Sequence, residues 1–295
     1  MSGVSVIIPA FRAEATIARA VASALAENPF EILVIADDGA DYAAVLARGG
    51  IGDDRVRHGS TGRIGAGPAR ARNLGRDLAR GEFLAWLDAD DAFLPGRLAA
   101  LVPLAASHGA SADNVRVIDD GTGTVLQYLF PEDRPFLKDD PFREDGLPPK
   151  DSLPRRLDAE AFLATAVPVM AVVRRALELS WDEDLPILLG DDVAYNLRLI
   201  DRLGPLPVTR RAYHEYRVRP GSICHAENSA KVAEASYLAM LGRLDADGFG
   251  FRESAVRAAL RAALAAKIEL NRAFERARLA GEAGNFQEFV ARRAR

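Results

Sequence analysis

Residues 83–91 of the chain read FLAWLDADD, a continuous apolar run that ends in an acidic turn. A short, unbroken apolar run of this kind predicts a strand that is buried on both faces. The carboxylates of Asp88, Asp90 and Asp91 follow at its end, and carboxylates so closely spaced can converge on one hard cation, magnesium or manganese. An ordinary turn is the alternative, because aspartates accept backbone hydrogen bonds well.

Apolar runs and alanine-rich amphipathic runs alternate along the first half of the chain. Strand, loop and helix in that order are typical of units repeated around a largely parallel sheet. Pro68 opens one of the helices, where proline is favourable because the first helical N–H needs no partner, and such a helix start favours anions. The predicted strands are residues 4–8, which Pro9 ends, 31–36, 56–58 and 83–87; the predicted helices run from Ile17 to before Asn28, from Pro68 to about Arg80 and from Pro95 to about His108.

The second half of the chain is less regular. Two short runs flank Asp119-Asp120-Gly121, which predicts a hairpin. Residues 130–154 hold six prolines and many charges. Because long connections in compact domains are usually lids or binding loops, we expect an acceptor-side loop there. The remaining predicted elements are strands at 169–173 and 208–218 and a helix at 192–203.

From Ala230 onward the sequence is helical in propensity. It carries an apolar stripe at four-residue spacing: Val256, Leu260, Leu264 and Ile268. The stripe predicts packing on the core or on a second copy of the chain. The basic excess of residues 251–295 leaves peripheral contact with a membrane surface as the alternative.

The composition is that of an ordinary globular protein, with 49% hydrophobic and 27% charged residues over 295 positions. A net charge of −4 provides no global attraction for nucleic acid. Cys224 is the single cysteine, which excludes an internal disulfide framework and is compatible with a reducing compartment. No apolar stretch approaches the roughly 20 residues of a membrane span. We expect a cytoplasmic protein, with the inner face of the membrane as a place of peripheral contact.

Site residues are expected at one rim of the sheet, because open α/β sheets bind ligands at the carboxyl ends of their strands. If the first, second and fourth strands are neighbours, the stretch from Pro9 to Phe11, Asp38 and the 88–90 turn open on that rim. The Phe11 ring could then stack on a base whose imide N–H donates to Asp38. A core position for Phe11 and a solvated strand end for Asp38 are the alternatives.

Four motifs in this order and spacing resemble those of the family 2 glycosyltransferases: VSVIIPAF at 4–11, ADDG at 36–39, ARNLG at 71–75 and LDADD at 87–91. The resemblance implies an α/β fold of the GT-A (Rossmann-like) type, with a mostly parallel sheet flanked by helices and a helical C-terminal extension. It implies domain bounds of 1–225 for the GT-A domain, divided into a nucleotide-sugar-binding half (1–118) and an acceptor-binding half (119–225), followed by a helical region at 226–295.

The resemblance also implies roles for individual residues. Phe11 and Asp38 would hold the base, Pro9 would belong to the same nucleotide-sugar site, and Arg72 would lie near the nucleotide. Asp88 would contact the ribose or the metal, and Asp90 the metal and the diphosphate, the metal being Mn2+ or Mg2+.

A further match is LGDD at 189–192, which resembles the family's acidic pair and makes Asp192 the candidate general base. Capping of the helix that follows is the alternative, and both roles can coexist. Whether His214 or His225 ligates the metal stays open. Ala40, Phe11-Arg12 and Asp191 depart from the family pattern, and none of these changes removes a charge that the mechanism needs.

Together these features predict a metal-dependent hexosyltransferase of polysaccharide biosynthesis. It would move a sugar from a nucleotide-sugar, a UDP-sugar first, to a saccharide or lipid-linked acceptor with inversion. A retaining transferase of the same fold is the nearest alternative, because fold does not fix stereochemistry. A nucleotidyltransferase would need a glycine-rich phosphate loop after the first strand, and a non-catalytic binding protein would not need Asp192.

Overall fold

The computed structural model describes residues 3–130, 154–165, 167–184, 190–219, 229–282 and 289. The loop predicted at 130–154 lies almost wholly outside these ranges, as do Cys224 and His225. Among the described helices, none is both long enough and apolar enough to cross a lipid bilayer.

The strands that were predicted from apolar runs are present, with small changes at their ends. In the described ranges the strands are β1 (Val4–Ala10), β2 (Glu31–Ala36), β3 (Val56–Ser60), β4 (Phe83–Trp86), β5 (Ala92–Phe93), β6 (Ala110–Asp119), β7 (Val125–Tyr128), β8 (Arg155–Leu157), β9 (Val172–Arg174) and β10 (Leu206–Val218). The short strands β5 and β8 have no pattern of their own, which is why they were not predicted.

Helices separate most of these strands. They are α1 (Ile17–Ala26), α2 (Tyr42–Arg48), α3 (Pro68–Leu78), α4 (Arg97–His108), α5 (Ala159–Leu163), α6 (Asp191–Leu203), α7 (Ser229–Asp245) and α8 (Ser254–Leu279). The helix α2 was not predicted because its seven residues are too few to show a period.

Pro9 does not end β1, contrary to the sequence prediction. The strand continues to Ala10, and Pro9 lies opposite Ile35 of β2. The amide of Leu87 donates to the carbonyl of Ile7, so by alternation the side of Pro9 that lacks an N–H also faces β4. Since β4 ends at Trp86, no ladder hydrogen bond is lost there.

The sheet has two parts of different character. The strands β3, β2, β1 and β4 are neighbours in that order and all parallel. Beyond β4 the order continues β9, β6, β10, β5, and β9 is antiparallel to both of its neighbours. The α/β fold class is confirmed, with the purely parallel part confined to the first four strands.

The helix α3 lies unusually close to β1. A methyl group added at Gly75 would come within 2.4 Å of a side-chain carbon of Ile7, so only glycine allows this approach. The close contact fixes the start of α3, and with it Arg72, beside the carboxyl end of the parallel strands.

The C-terminal helices pack on the body of the protein. The predicted apolar stripe of α8, from Val256 to Ile268, is buried, and α8 contacts α5, α6 and α7. Several basic residues of α8 pair with acidic neighbours on the same surface, for example Arg257 with Asp247 and Arg261 with Asp245. The stripe therefore serves core packing, as the first of its two interpretations predicts.

Candidate active site

The predicted rim exists because β1, β2 and β4 are adjacent and parallel, so their carboxyl ends meet on one side of the sheet. Pro9 is the penultimate residue of β1 and is half-buried. Phe11 comes directly after the strand, with 44% of its surface exposed. The exposed ring excludes the core position that was the alternative for Phe11. The rim thus offers an aromatic face to solvent at the end of β1.

The Asp38 carboxylate is fixed by three donors of the protein. It accepts hydrogen bonds from the backbone amides of Arg12 and Ala40 and from the hydroxyl of Tyr42. Burial would raise the pKa of Asp38, but these hydrogen bonds hold it below its ordinary value. Asp38 is therefore an ordered anion beside Phe11, since its amide contact is to the residue that follows the ring.

Asp37 organises the next loop, a role that the sequence did not reveal. Its carboxylate accepts from the Thr61 hydroxyl at 2.7 Å and from the amides of Ala66 and Gly67 at 3.0 and 2.8 Å. Its carbonyl accepts from the Gly65 amide at 2.7 Å. The side chain is buried. One residue after β2 thus holds the whole connection between β3 and α3.

The acidic turn after β4 divides into exposed and buried members. Asp88 and Asp90 reach the rim, with 28% and 29% of their side chains exposed. Burial, followed by the charge of Asp88, raises the pKa of Asp90, although Arg219 lies 2.8 Å away and opposes the shift. Arg219 comes from the end of β10, and its approach to the turn was not predicted.

Asp91 serves the structure of the turn, as one of the interpretations of the turn predicts. It is buried and accepts from the Arg217 amide at 2.9 Å. Its other oxygen lies 3.2 Å from Nε2 of His214. Burial, together with the positive charge of Arg97, lowers the pKa of His214 to about 4. His214 is fully buried with Nε2 engaged in this contact, away from the exposed side of the rim.

Arg72 connects the acidic turn with the start of α6. Its guanidinium donates to Asp88 at 2.7 Å and to Asp191 at 2.6 Å. The two carboxylates outweigh the burial of Arg72, which alone would lower its pKa, and raise that pKa further above its ordinary value. The side chain is nearly inaccessible, so the bridge is a fixed part of the site.

Asp192 lies beside this bridge, in the first turn of α6. Burial, followed by the charge of Asp191, raises the pKa of Asp192 to about 7, and the Arg72 charge opposes the shift. Lys267 of α8 is close enough for the Asp192 charge to act on it: burial lowers the pKa of Lys267, and the Asp192 charge opposes that shift. A carboxylate whose pKa lies near neutrality is suited to accept a proton at physiological pH.

An aromatic group lies beneath the bridge. Trp181 is buried, and the Arg72 guanidinium lies 4.2 Å from the centre of its ring. The sequence contained a signal for this residue, because an aromatic residue followed by Asp182 and Glu183 precedes a helix whose first turn is acidic. In the described residues, no group of three or more histidine, cysteine, aspartate and glutamate side chains is close enough to share a metal ion.

A sheet with a parallel half and a rim of carboxylates at the ends of its parallel strands define an α/β protein with a candidate ligand-binding rim. The chain belongs to glycosyl transferase family 2, whose model matches residues 5–163.

Curated relatives match over part of their length. Succinoglycan biosynthesis protein ExoU of Rhizobium meliloti (strain 1021) is 42% identical over 126 residues, which are 39% of this chain and 34% of that protein. The UDP-Glc:alpha-D-GlcNAc-diphosphoundecaprenol beta-1,3-glucosyltransferase WfgD of Escherichia coli is 34% identical over 97 residues, 32% of this chain and 38% of that protein. The chain thus matches about a third of the length of these relatives.

Solved structures share the fold. The crystal structure of residues 1–349 of S. aureus TarS has a TM-score of 0.59 at 17% identity and covers 90% of this chain and 71% of that one. The same protein in complex with UDP-GlcNAc has a TM-score of 0.57 at 17% identity, over 81% of this chain and 66% of that one. These likenesses confirm the GT-A type of fold.

Proposed function

We propose that the protein transfers a sugar from a nucleotide-sugar, with a UDP-sugar as the preferred donor, to a hydroxyl of a saccharide or lipid-linked acceptor. The observation that carries the proposal is the Arg72 bridge, which holds Asp88 at the strand ends and Asp191 at the start of α6. This bridge connects the acidic turn after β4 with the first turn of α6, which carries Asp192. A transfer reaction would need the donor and the general base close together in this way.

The donor base would bind at the ends of β1 and β2. The exposed Phe11 ring supplies a stacking face, and the ordered Asp38 carboxylate can accept the imide N–H of a uracil through an oxygen lone pair. Uracil offers that N–H at N3, and thymine shares it, whereas adenine has no ring N–H to donate. The UDP and UDP-GlcNAc complexes of TarS support a uridine donor for this fold.

A divalent metal, Mn2+ or Mg2+, fits the acidic turn. Asp88 and Asp90 are two carboxylates two positions apart, and the charge of Asp88 raises the pKa of Asp90, so a cation held by these residues would relieve their repulsion. Mg2+ typically takes one or two carboxylates and completes its shell with phosphates and water. Bound there, the metal would neutralise charge on the departing diphosphate. Arg219 supplies a further positive charge beside Asp90.

Asp192 would act as the general base. In an inverting transfer the acceptor oxygen attacks the anomeric carbon from the face opposite the leaving diphosphate, and a carboxylate on that face takes the hydroxyl proton. The near-neutral pKa of Asp192 suits this step for two reasons. Its ionised form is populated at pH 7, and that carboxylate is more basic than an ordinary aspartate, so it accepts the acceptor's proton more readily.

The names of the relatives support the proposed acceptor class. WfgD and the GalNAc(5)-diNAcBac-PP-undecaprenol beta-1,3-glucosyltransferase of Campylobacter jejuni are named for lipid-linked acceptors, and ExoU for succinoglycan biosynthesis. A saccharide on a lipid carrier would place the reaction at a membrane surface, and the proposal puts it at the inner face. Peripheral attachment there, or pairing of two copies through the C-terminal helices, is part of the same proposal.

The test is a thermal-shift screen of UDP-, GDP- and dTDP-sugars with and without Mn2+, followed by assay of nucleotide release in the presence of acceptor saccharides. A ligand that binds the folded state raises its apparent stability by about 2.7 kcal/mol at one hundred times its Kd. We expect UDP-sugars to give the largest shift, and only with metal. No shift with any donor would contradict the proposal, while the anomeric configuration of the product separates inversion from retention.

A further inference from the structure

We propose that Trp181 is a positioning residue for the transfer: its ring holds the Arg72 bridge, and through it the first turn of α6, in the geometry that the reaction needs. The inference rests on the proposed function. It concerns a residue outside the family motifs that first indicated the site, contributed by the segment between β9 and α6.

The indole of Trp181 has neighbours on both faces and along its edge. One face lies against Tyr195 of α6, with ring centres 4.2 Å apart and planes within 7° of parallel. The Arg72 guanidinium lies 4.2 Å from its ring centre. Trp86, the last residue of β4, meets it edge to face at 5.4 Å. Trp181 thus joins the end of β4, the bridge and α6 in one packed group.

The backbone of Trp181 is fixed as firmly as its ring. The side-chain amide of Asn73 donates to the Trp181 carbonyl at 2.9 Å, and the Trp181 amide donates to the Asn73 oxygen at 2.8 Å. Asn73 is buried and is the residue after Arg72 in α3. Two successive residues of one helix therefore hold the backbone and the ring of Trp181, so the indole cannot shift relative to the bridge.

The contact also covers a part of Arg72 that hydrogen bonds leave unused. Its terminal nitrogens are used by Asp88 and Asp191, whereas its Nε is buried and has no hydrogen-bond partner among the described residues. An aromatic face attracts a guanidinium, and the attraction is strongest when both groups are removed from water. Without the indole, the guanidinium would lose this attraction, which opposes its rotation away from one of its two carboxylates.

Such a rotation would move Asp191, and with it Asp192, relative to the acidic turn. Donor binding through Phe11 and Asp38 would continue, because those residues lie at the ends of other strands. The proton acceptor and the anomeric carbon would lose their alignment, and misplacement by about 1 Å can cost about 100-fold in rate. Trp181 should accordingly affect kcat far more than the KM for the donor.

The experiment compares Trp181→Leu with Phe83→Leu in the full chain. Phe83 is also a fully buried aromatic residue that meets an arginine, Arg174 at 5.5 Å, at the far end of β4. Both variants remove a buried ring, so both lower the melting temperature. We expect Trp181→Leu alone to lower kcat by about 100-fold with the donor KM near that of the wild type, and Trp181→Phe, which keeps an aromatic face, to recover most of the loss. Equal kcat values for the two leucine variants would overturn the inference.

A second measurement needs no substrate. In a double-mutant cycle of denaturant unfolding, Trp181→Leu and Arg72→Gln together should destabilise the protein by less than the sum of the single changes, since they share one contact, whereas Phe83→Leu and Arg72→Gln should add. Additivity in the first cycle would refute the contact as the source of the effect. A wild-type protein that releases no nucleotide from any donor would instead sink the proposed function, and the cycle would still decide whether Trp181 holds Arg72.

Discussion

Two regions of the candidate site, the base-binding end at β1 and β2 and the region around Arg72 and Asp192, acquire their residues in different ways. At the base-binding end, Phe11 and Asp38 directly follow β1 and β2, and their positions depend only on the order of neighbouring strands. In the second region, Asp192 is positioned by a contact between Arg72 and Asp191, which are 119 residues apart in sequence. The difference suggests a division of roles, in which the first region determines donor affinity and the second determines turnover.

The largest expected effect is that of Asp192→Asn. Loss of the base should lower kcat by between about 100-fold and 10,000-fold, while donor affinity changes little because the base-binding end is untouched. Steady-state assay together with a titration of UDP measures both quantities. Asp184→Asn, at an exposed carboxylate on the segment before α6, is the charge-matched control and should leave both unchanged. Retained turnover in Asp192→Asn would remove this residue from the reaction.

Arg72→Lys tests whether the two regions are joined through the bridge. Lysine keeps the charge but cannot hold two carboxylates in the planar geometry of a guanidinium, so we expect kcat/KM to fall by about 100-fold. The matched control is Arg76→Lys, one turn further along α3, where the guanidinium contacts Ser180 and Asp77. Similar kcat/KM values for the two variants would mean that the bridge is not needed.

Phe11→Ala addresses the base-binding end alone. Stacking of a base on an aromatic side chain is worth about 1–3 kcal/mol, so the donor Kd should rise about tenfold with kcat preserved. Because 44% of the ring is exposed, little stability is lost. Calorimetric titration with UDP checks the affinity, and Phe11→Tyr, which keeps the ring, should bind as the wild type does. A fall in kcat without a change in Kd would reverse the roles assigned to the two regions.

The smallest effect concerns pH. Since the pKa of Asp192 is raised to about 7 and the ionised form is the base, kcat/KM should rise with pH and level off above that value. Between pH 7 and pH 6 it should fall about fivefold. The raised pKa also means that the folded state disfavours ionisation of Asp192. The free energy of unfolding should therefore be highest below the ordinary aspartate pKa of 3.8, fall as the pH rises to about 7, and change no further above it. A flat profile, or one shared by Asp192→Asn, would contradict the assignment.

The sequence predicted the parallel part of the sheet well because buried strands are continuous apolar runs and their acidic ends are local features. Phe11, Asp38 and Asp88 could be assigned to one rim from the strand order alone. The predicted end of β1 at Pro9 was wrong, since the penalty for proline depends on whether a neighbouring strand needs its N–H, and strand pairing is a tertiary property.

Residues whose position depends on distant contacts could not be placed beside the acidic turn from sequence, even where a local signal marked them. Trp181 and Arg219 lie 90 or more positions after the acidic turn. Asp37 resembled an ordinary strand end until its four hydrogen bonds to the 61–67 loop were seen. Burial raises the pKa of Asp192, whose charge acts on Lys267 of α8, and no local pattern encodes the packing of α8 on α6.

The hydrogen bonds of Asp37 have a thermodynamic consequence. They order the connection from β3 to α3 in the free protein, so the conformational entropy of that loop is lost during folding and not during association with the donor. Fixing the backbone of one residue costs about 1–2 kcal/mol, and a loop that was disordered before association would subtract this amount from affinity for each residue that it immobilises. A calorimetric titration of Asp37→Ala with the donor should therefore show a more unfavourable entropy of association than the wild type shows.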